Sequence, residues 1–288
     1  MGNMDGVHRG HQALIGEAAK LATNLGKPLS AIVFEPHPRL VFQPDTEPFL
    51  LTTPEQKIDL LGQCGIEKVF ILPFNRRLSM LSPEAFVEDI LHQTLGLAGI
   101  VVGAEFQFGQ KRSGTADMLD ALAQQHGITP LIVTPVSLNG AAEKFSSSGA
   151  RDALRHGKPE EAAHILGRPW SVAGVVQKGQ QLGRTLDFPT ANIAIQDVIA
   201  PAKGVYAVKA RIGEETHAGV ANFGSRPTVD GTGLLLEVHL FDFARDIYGE
   251  NMAVDFLHYI RPETKFDGLD ALKAQIAKDC ETAVALLS

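Results

Sequence analysis

The sequence predicts two folds in tandem: an α/β unit on a parallel sheet, then a small antiparallel β-barrel or sandwich with a terminal helix. Three observations predict this. Through residue 133, apolar runs without polar alternation are separated by segments of helical period, the pattern of parallel strands covered on both faces. From Trp170 onward, short β-like runs alternate apolar and polar residues between Gly/Pro turns. The length of 288 residues suits two domains of ordinary size.

Each element has a local cause. Leu14, Ala18, Leu21 and Leu25 repeat near helical spacing over residues 10–25, and Gly26 stops that helix. Residues 29–34 form an apolar strand ended by Glu35-Pro36-His37-Pro38, which cannot continue a ladder. Pro54 opens a helix with Ile58 and Leu61 inward, and 69–72 is the next strand. Pro83 opens a helix carrying Phe86, Ile90 and Leu91; 100–102 is a strand, Met118 and Leu122 mark a helix, and 128–133 closes the series. Ligands of such a sheet sit beyond its carboxyl ends, here the loops 35–39, 73–77 and 103–112. Two short helices follow at about 149–156 and 159–166. The β-like runs are 171–176, 204–212, 217–222, 234–241 and 252–260, and a helix over about 268–287 ends the chain. The boundary falls near Gly167 to Trp170, giving domains of 1–166 and 167–288.

The composition narrows the function classes. There are 33 acidic residues against 26 Lys and Arg, a formal charge of -7, so a polybasic nucleic-acid surface is not expected. Cys64 and Cys280 are far apart and read as small hydrophobes of helices, without a disulfide framework. The first residues lack the basic and apolar regions of a signal peptide, and no stretch is long and apolar enough to span a bilayer. The cytoplasm is the expected location.

His8 and His11 lie three apart at the start of the first helix, so both imidazoles share a face, with Gly10 between them. Free amides at a helix start favour phosphate, and imidazoles beside them can donate to a phosphoryl group. Spacing alone equally suits an exposed helix start with ordinary polar histidines. In the second half, Thr190 and Asn192 offer oxygens two residues apart, on one side of an extended segment. Such oxygens suit Mg²⁺ held jointly with ATP phosphates, although a polar turn has the same composition. The run 178–184 exposes glycine amides but lacks the P-loop spacing. Glu237 alternates with Leu236 and Val238, which by itself describes an exposed acid on a half-buried strand.

The segment Gly2-Asn3-Met4-Asp5-Gly6-Val7-His8-Arg9-Gly10-His11 resembles the GNFDGVHxGH signature of bacterial bifunctional riboflavin kinase/FMN adenylyltransferases. The resemblance continues through Phe34-Glu35-Pro36-His37-Pro38, Val102 to Gly109, and Ser146-Ser147-Ser148-Gly149-Ala150-Arg151. Gly183 to Ile193 resembles the kinase motif GRxLGFPTAN, with landmarks at 204–207 and 222–228 and a segment like ExHLxDF from Glu237. These motifs span essentially the whole chain in family order. The resemblance implies a Rossmann-like nucleotidyltransferase domain that adenylylates FMN and a barrel that phosphorylates riboflavin, with ATP as co-substrate, Mg²⁺ as cofactor, and riboflavin, FMN and FAD as substrates or products. It places Asn3, His8, Gly10, His11, Ser147, Ser148 and Arg151 around the ATP phosphates, and Glu105, Phe106 and Gly109 near nucleotide or flavin. Packing roles suit Phe106 and Phe108 equally. In the barrel it implies Lys178, Gly179, Gly183 and Arg184 as nucleotide-binding, Thr190 and Asn192 as Mg-ATP ligands, and Glu237 as base toward the riboflavin hydroxyl.

The chain departs from the family at Met4 for Phe, Glu105 for Asp, Ser148 for Thr and Asp187 for Gly. The Gly-rich turn should also follow a strand, so an upstream strand completing the first domain is expected. The other readings are a riboflavin kinase with an impaired adenylyltransferase domain, a flavin-binding protein without turnover, and a nucleic-acid-binding barrel. The acidic charge and the lack of a basic-aromatic stripe weigh against the last. A monomer or weak homo-oligomer without membrane contact is expected.

Overall fold

The apolar runs become strands and the helical repeats become helices in the computed structural model, which describes residues 1–134, 145–178, 188–195, 197–228 and 231–288. The chain forms two compact units: residues 1–47 with 52–146, and residues 48–51 with 147–288.

In the first unit, helix α1 (Arg9–Leu25) leads to strand β1 (Ser30–Glu35), the short α2 (Pro38–Phe42) and α3 (Pro54–Gln63). Strand β2 (Lys68–Pro73), α4 (Arg76–Ser79), α5 (Pro83–Ala85), β3 (Gly99–Gly103), α6 (Ala116–Gln125) and β4 (Thr129–Val133) follow. Helix α5 runs directly into a π-helical stretch, Phe86–Thr94. Its apolar residues are those expected of the helix opened by Pro83, but the turn is wider, as when Leu95 N–H donates to Ile90 O at 2.9 Å.

The parallel sheet consists of two pairs, β1 with β2 and β3 with β4. β1 shows why its apolar run is continuous. Ala31 and Val33 are buried with Ile15 and Leu61 on one face, while Ile32 and Phe34 are buried with Phe86 and Val102 on the other. Between the pairs lie residues 1 and 2: the Met1 amino group donates to Val101 O at 3.0 Å and Gly2 N–H to Ile32 O at 3.1 Å.

The second unit opens with α7 (Ser147–Arg155) and α8 (Pro159–Leu166). Strands β5 (Trp170–Val175), β6 (Ala191–Ala194), β7 (Gly204–Ile212), β8 (Glu215–Thr228), β9 (Gly231–Leu240) and β10 (Asn251–Arg261) then form one antiparallel sheet in the order β5-β10-β7-β8-β9-β6. Just beyond β5, Gln177 bridges to Asn192 of β6, its N–H donating to Asn192 O at 2.8 Å. That bridge joins the two ends of the sheet and makes it a near-closed barrel, removing most of its exposed edge.

The barrel core includes Trp170, Tyr206, Val208, Phe223, Leu236, Val238, Val254 and Phe256. Residues 48–51 are held here rather than in the first unit. Trp170 Nε1 donates to Leu51 O at 2.9 Å, Ile199 N–H to Leu50 O at 2.8 Å and Arg151 Nε to Phe49 O at 2.7 Å. The terminal helix α9 (Leu269–Leu287) lies on the outer face over Val205, Ala207 and Val220 through Ala283. Arg261 of β10 pins it by a two-point pair with Asp279, Nε to Oδ1 at 2.9 Å and Nη2 to Oδ2 at 2.7 Å.

Neither cysteine forms a disulfide; both are half-buried, and each packs against an apolar cluster. Burial, then Asp279 and Glu281, push the Cys280 thiol up to about 11, away from nucleophilic use.

Asp279→Ala would leave a largely buried guanidinium uncompensated. The second unit should lose about 3 kcal/mol, read by urea unfolding through the fluorescence of Trp170, the one tryptophan of the chain.

Candidate functional site

The Gly-rich turn ahead of α1 holds the first candidate site. Met4 and Val7 take left-handed backbone, with φ of 51° and 40°, and Gly6 lies between them at 78°. A β-branched residue in that region is strained by about 1–3 kcal/mol, so the turn needs fixing from outside. Asp5 is buried, and its Oδ1 accepts from Thr52 N–H at 3.3 Å and Thr52 Oγ1 at 3.4 Å. Gly6 N–H donates to Thr52 Oγ1 at 3.2 Å, and Gln12 Nε2 to Val7 O at 2.9 Å.

This turn delivers His8 as the N-cap of α1. His8 Nδ1 accepts from His11 N–H at 3.3 Å. In the neutral ring that leaves the hydrogen on Nε2, a donor suited to phosphate. The two imidazoles stack with centroids 3.7 Å apart. The expected shared face is therefore present. Space is tight at Gly10: a Cβ there would stand 3.1 Å from the His8 ring and from Phe145 O.

His11 Nδ1 is sealed from solvent and has no hydrogen-bond partner among the described residues. Burial first, then His8, the chain's amino group and Lys57, hold His11 well below the ordinary histidine value. Lys57 is itself buried and paired to Glu35 at 2.5 Å, at the carboxyl end of β1. The sequence reading missed this pair, because nothing in spacing joins residues 22 positions apart.

Asn3 precedes the turn and is half-buried. At the end of β3, Glu105 is exposed. Phe106 stacks on the buried Phe108 at 5.8 Å, and Phe108 packs on Phe86 at 5.7 Å, which gives this segment a packing role. Gly109 has φ of 71°, and a Cβ there would meet Pro83 at 2.9 Å. Ser147, Ser148 and Arg151 lie on α7 in the second unit, where Arg151 also sits over the Phe49 ring at 5.2 Å.

The second candidate site is a row across three strands. Glu237 of β9 pairs in register with Asn192 of β6 on one side and Asn222 of β8 on the other. Directly paired residues point to the same face, and Leu236 and Val238 occupy the core face. The three polar residues therefore share the outer face. Asn192 is buried, and its Oδ1 has no hydrogen-bond partner among the described residues. A buried oxygen without a donor suits a hard cation shared with phosphate oxygens, so the residues fit Mg²⁺. Thr190 lies two residues before Asn192, just ahead of β6. Asn222 entered the sequence reading only as part of a motif; its partner position is set by register. His239, two residues from Glu237, donates from Nδ1 to Pro189 O at 2.8 Å and meets Phe188 edge-on. Lys178 Nζ lies 5.6 Å from the Tyr248 ring. Gly179, Gly183, Arg184 and Asp187 lie outside the described residues.

Fold and sites together define a chain with a phosphate-suited helix start in an α/β unit and a carboxylate-amide row on a barrel. A family model for FAD synthetase matches residues 1–149, and one for riboflavin kinase matches residues 166–287. The bifunctional riboflavin kinase/FMN adenylyltransferase of Haemophilus influenzae is 39% identical, over 100% of this chain and 93% of that protein. The Pseudomonas fluorescens protein of the same name is 42% identical, over 99% of this chain and 91% of its own length. A crystal structure of a Streptococcus pneumoniae protein, described as a macrolide-efflux protein, superposes with a TM-score of 0.88 at 32% identity, covering 99% of this chain and 92% of that one. Among the described residues, no helix is long and apolar enough to cross a membrane. The chain belongs to the bacterial bifunctional riboflavin kinase/FMN adenylyltransferase family.

The folded pKa of His11 lies below its unfolded value of about 6.5. The unfolded chain therefore takes up that proton first, and the first unit should lose stability as pH falls below about 6.5. An NMR titration of the His11 ring should show a midpoint well below that of an exposed histidine. Lys57→Met should move the midpoint up.

Proposed function

We propose that this chain phosphorylates riboflavin to FMN with ATP in its barrel and adenylylates FMN to FAD in its α/β unit, releasing pyrophosphate. Kinase chemistry is assigned to residues 167–288 and adenylyl transfer to 1–166. The observation that carries the kinase reading is the outer-face row in which Glu237 stands beside Asn192, whose buried Oδ1 has no partner among the described residues.

An alcohol is a weak nucleophile toward a phosphoryl group unless it is aligned and its proton has an acceptor. Glu237 accepts the proton of the terminal riboflavin hydroxyl. The hydroxyl oxygen then bonds the γ-phosphorus of ATP, and the bond to the β-phosphate oxygen breaks to release ADP. Thr190 and Asn192 would hold Mg²⁺, and Asn222 orients the Glu237 carboxylate from the neighbouring strand. The metal, when bound, screens the phosphate charge and the developing charge on the leaving group. Lys178, Gly179, Gly183 and Arg184 bind the nucleotide.

In the α/β unit, an FMN phosphate oxygen attacks the α-phosphorus of ATP and pyrophosphate leaves. Both reactants are anionic, so fixed donors must bring them together. His8 and His11 supply imidazole donors, Gly10 lets the phosphates approach α1, and Asn3 adds a further donor; by the family resemblance Ser147, Ser148 and Arg151 also bind phosphate. Glu105 borders the flavin or nucleotide, on a loop held in shape by Phe106 and Gly109. The reactants are small molecules in the cytoplasm, and a monomer or weak homo-oligomer suffices.

Glu237→Gln should lower FMN formation about 100-fold or more and leave FAD formation from supplied FMN intact. A near-normal kinase rate would remove Glu237 as the base. His8→Ala/His11→Ala should give the reverse pattern, with FAD formation lost and FMN formation kept. Equal loss of both reactions in either variant would indicate global damage instead.

A further inference from the structure

Residues 104–115, which join β3 to α6, hold a strained segment that carries two cations. Lys111 and Arg112 are consecutive, and both take left-handed backbone, with φ of 55° and 58°. Residues with side chains rarely adopt that conformation, and two in succession are strained unless the surroundings fix them. Here the surroundings do. Phe108 and Gly114 exchange both backbone hydrogen bonds, at 3.1 and 2.9 Å, and close the loop at its neck. Gly114 lies against the Phe108 ring, where a Cβ would come within 2.6 Å of it. Gln110 N–H donates to Leu81 O at 2.7 Å, which ties the loop to the segment ahead of α5. Arg112 N–H donates to Gly109 O at 3.1 Å within the turn. These bonds hold a backbone that glycine would take more easily.

What the strained backbone presents is charge. Both side chains are exposed, and neither forms an ion pair among the described residues. The loop leaves the carboxyl end of β3, and ligands of a parallel sheet sit along that edge. The histidines stand at the same edge: Glu35 ends β1 and pairs with Lys57, whose charge acts on His11. Adenylyl transfer must seat two anions there side by side, the triphosphate of ATP and the phosphate monoester of FMN. The helix-start amides and the imidazoles suit the first. Lys57, a buried cation of this unit, is already neutralised by Glu35. The attacking monoester carries about two negative charges and needs cations of its own.

We propose that Lys111 and Arg112 bind the phosphate monoester of FMN and hold it toward the α-phosphorus of the ATP seated at the start of α1. The assignment rests on the adenylyl-transfer reading of the first unit. It also gives the strain a use. A fastened backbone presents both cations before the substrate arrives, so less freedom is lost when the phosphate binds.

The test supplies FMN and ATP to the full chain and follows FAD formation. Lys111→Gln/Arg112→Gln should raise the KM for FMN about tenfold or more. The KM for ATP and the rate of riboflavin phosphorylation should not move. Lys111→Arg/Arg112→Lys keeps both charges and should stay close to the unmodified chain. Lys111→Gly/Arg112→Gly separates binding from folding. Glycine relieves the backbone, so Tm should hold or rise, yet the KM for FMN should climb as it does in the glutamine variant. An unchanged KM for FMN in both uncharged variants would overturn the proposal and leave adenylyl transfer standing. A rise in the KM for ATP alone would overturn it too, by giving the cations to the triphosphate. If the unmodified chain forms no FAD, the transfer reading falls and the proposal with it.

Discussion

Leu236 and Val238 are sealed in the barrel, and Glu237 between them is not. This alternation fixes the register of β9 against both neighbours, since a slip of one residue would drive a carboxylate into the core and two large apolar groups out. The register in turn sets which residues meet Glu237 from β6 and β8. Asn192 and Asn222 stand there because the core on the opposite face admits no other pairing. The polar row is thus a by-product of core packing: the hydrophobic side chains that stabilise the barrel also hold that row in line. The Gln177 bridge to Asn192 adds a second constraint on the same strand, from the side β9 does not reach.

The first unit builds its site differently. There the functional side chains come from a turn and a helix start, and their positions rest on polar fastening. Asp5 and Thr52 lock a backbone in which Met4, Gly6 and Val7 all take positive φ. The strain at Val7 is offset by those bonds, and the result is an N-cap imidazole aimed from the helix start. His11, stacked behind it, is kept neutral by burial and by the cations around it, Lys57 included. Imidazole donors beside free helix amides suit a phosphate.

What the sequence disclosed follows from period. The parallel strands were legible because burial on both faces leaves no polar residue in runs such as 31–34, and the helices because their apolar residues recur at helical spacing. β6 was harder: four residues after a proline carry too little pattern to separate strand from turn. Asn222 and the Lys57–Glu35 pair were invisible for another reason, since strand register and buried pairing are long-range facts with no local signature. The capture of residues 48–51 by the barrel unit is of the same kind, because it depends on Trp170 finding a carbonyl 119 residues away. The π-helical widening at Phe86–Thr94 preserves the apolar spacing and so leaves no trace in the sequence.

The central claim is that one chain carries two sequential transfers on two separate sites. Its most direct measurement is a time course of the purified chain with riboflavin, ATP and Mg²⁺, resolving the three flavins. The account predicts that FMN appears first and FAD follows, with one ADP released for each riboflavin consumed and one pyrophosphate for each FAD formed. Riboflavin that stays unchanged, under conditions where an active control converts it, would contradict the barrel assignment. FMN that accumulates without FAD would contradict the assignment of the α/β unit.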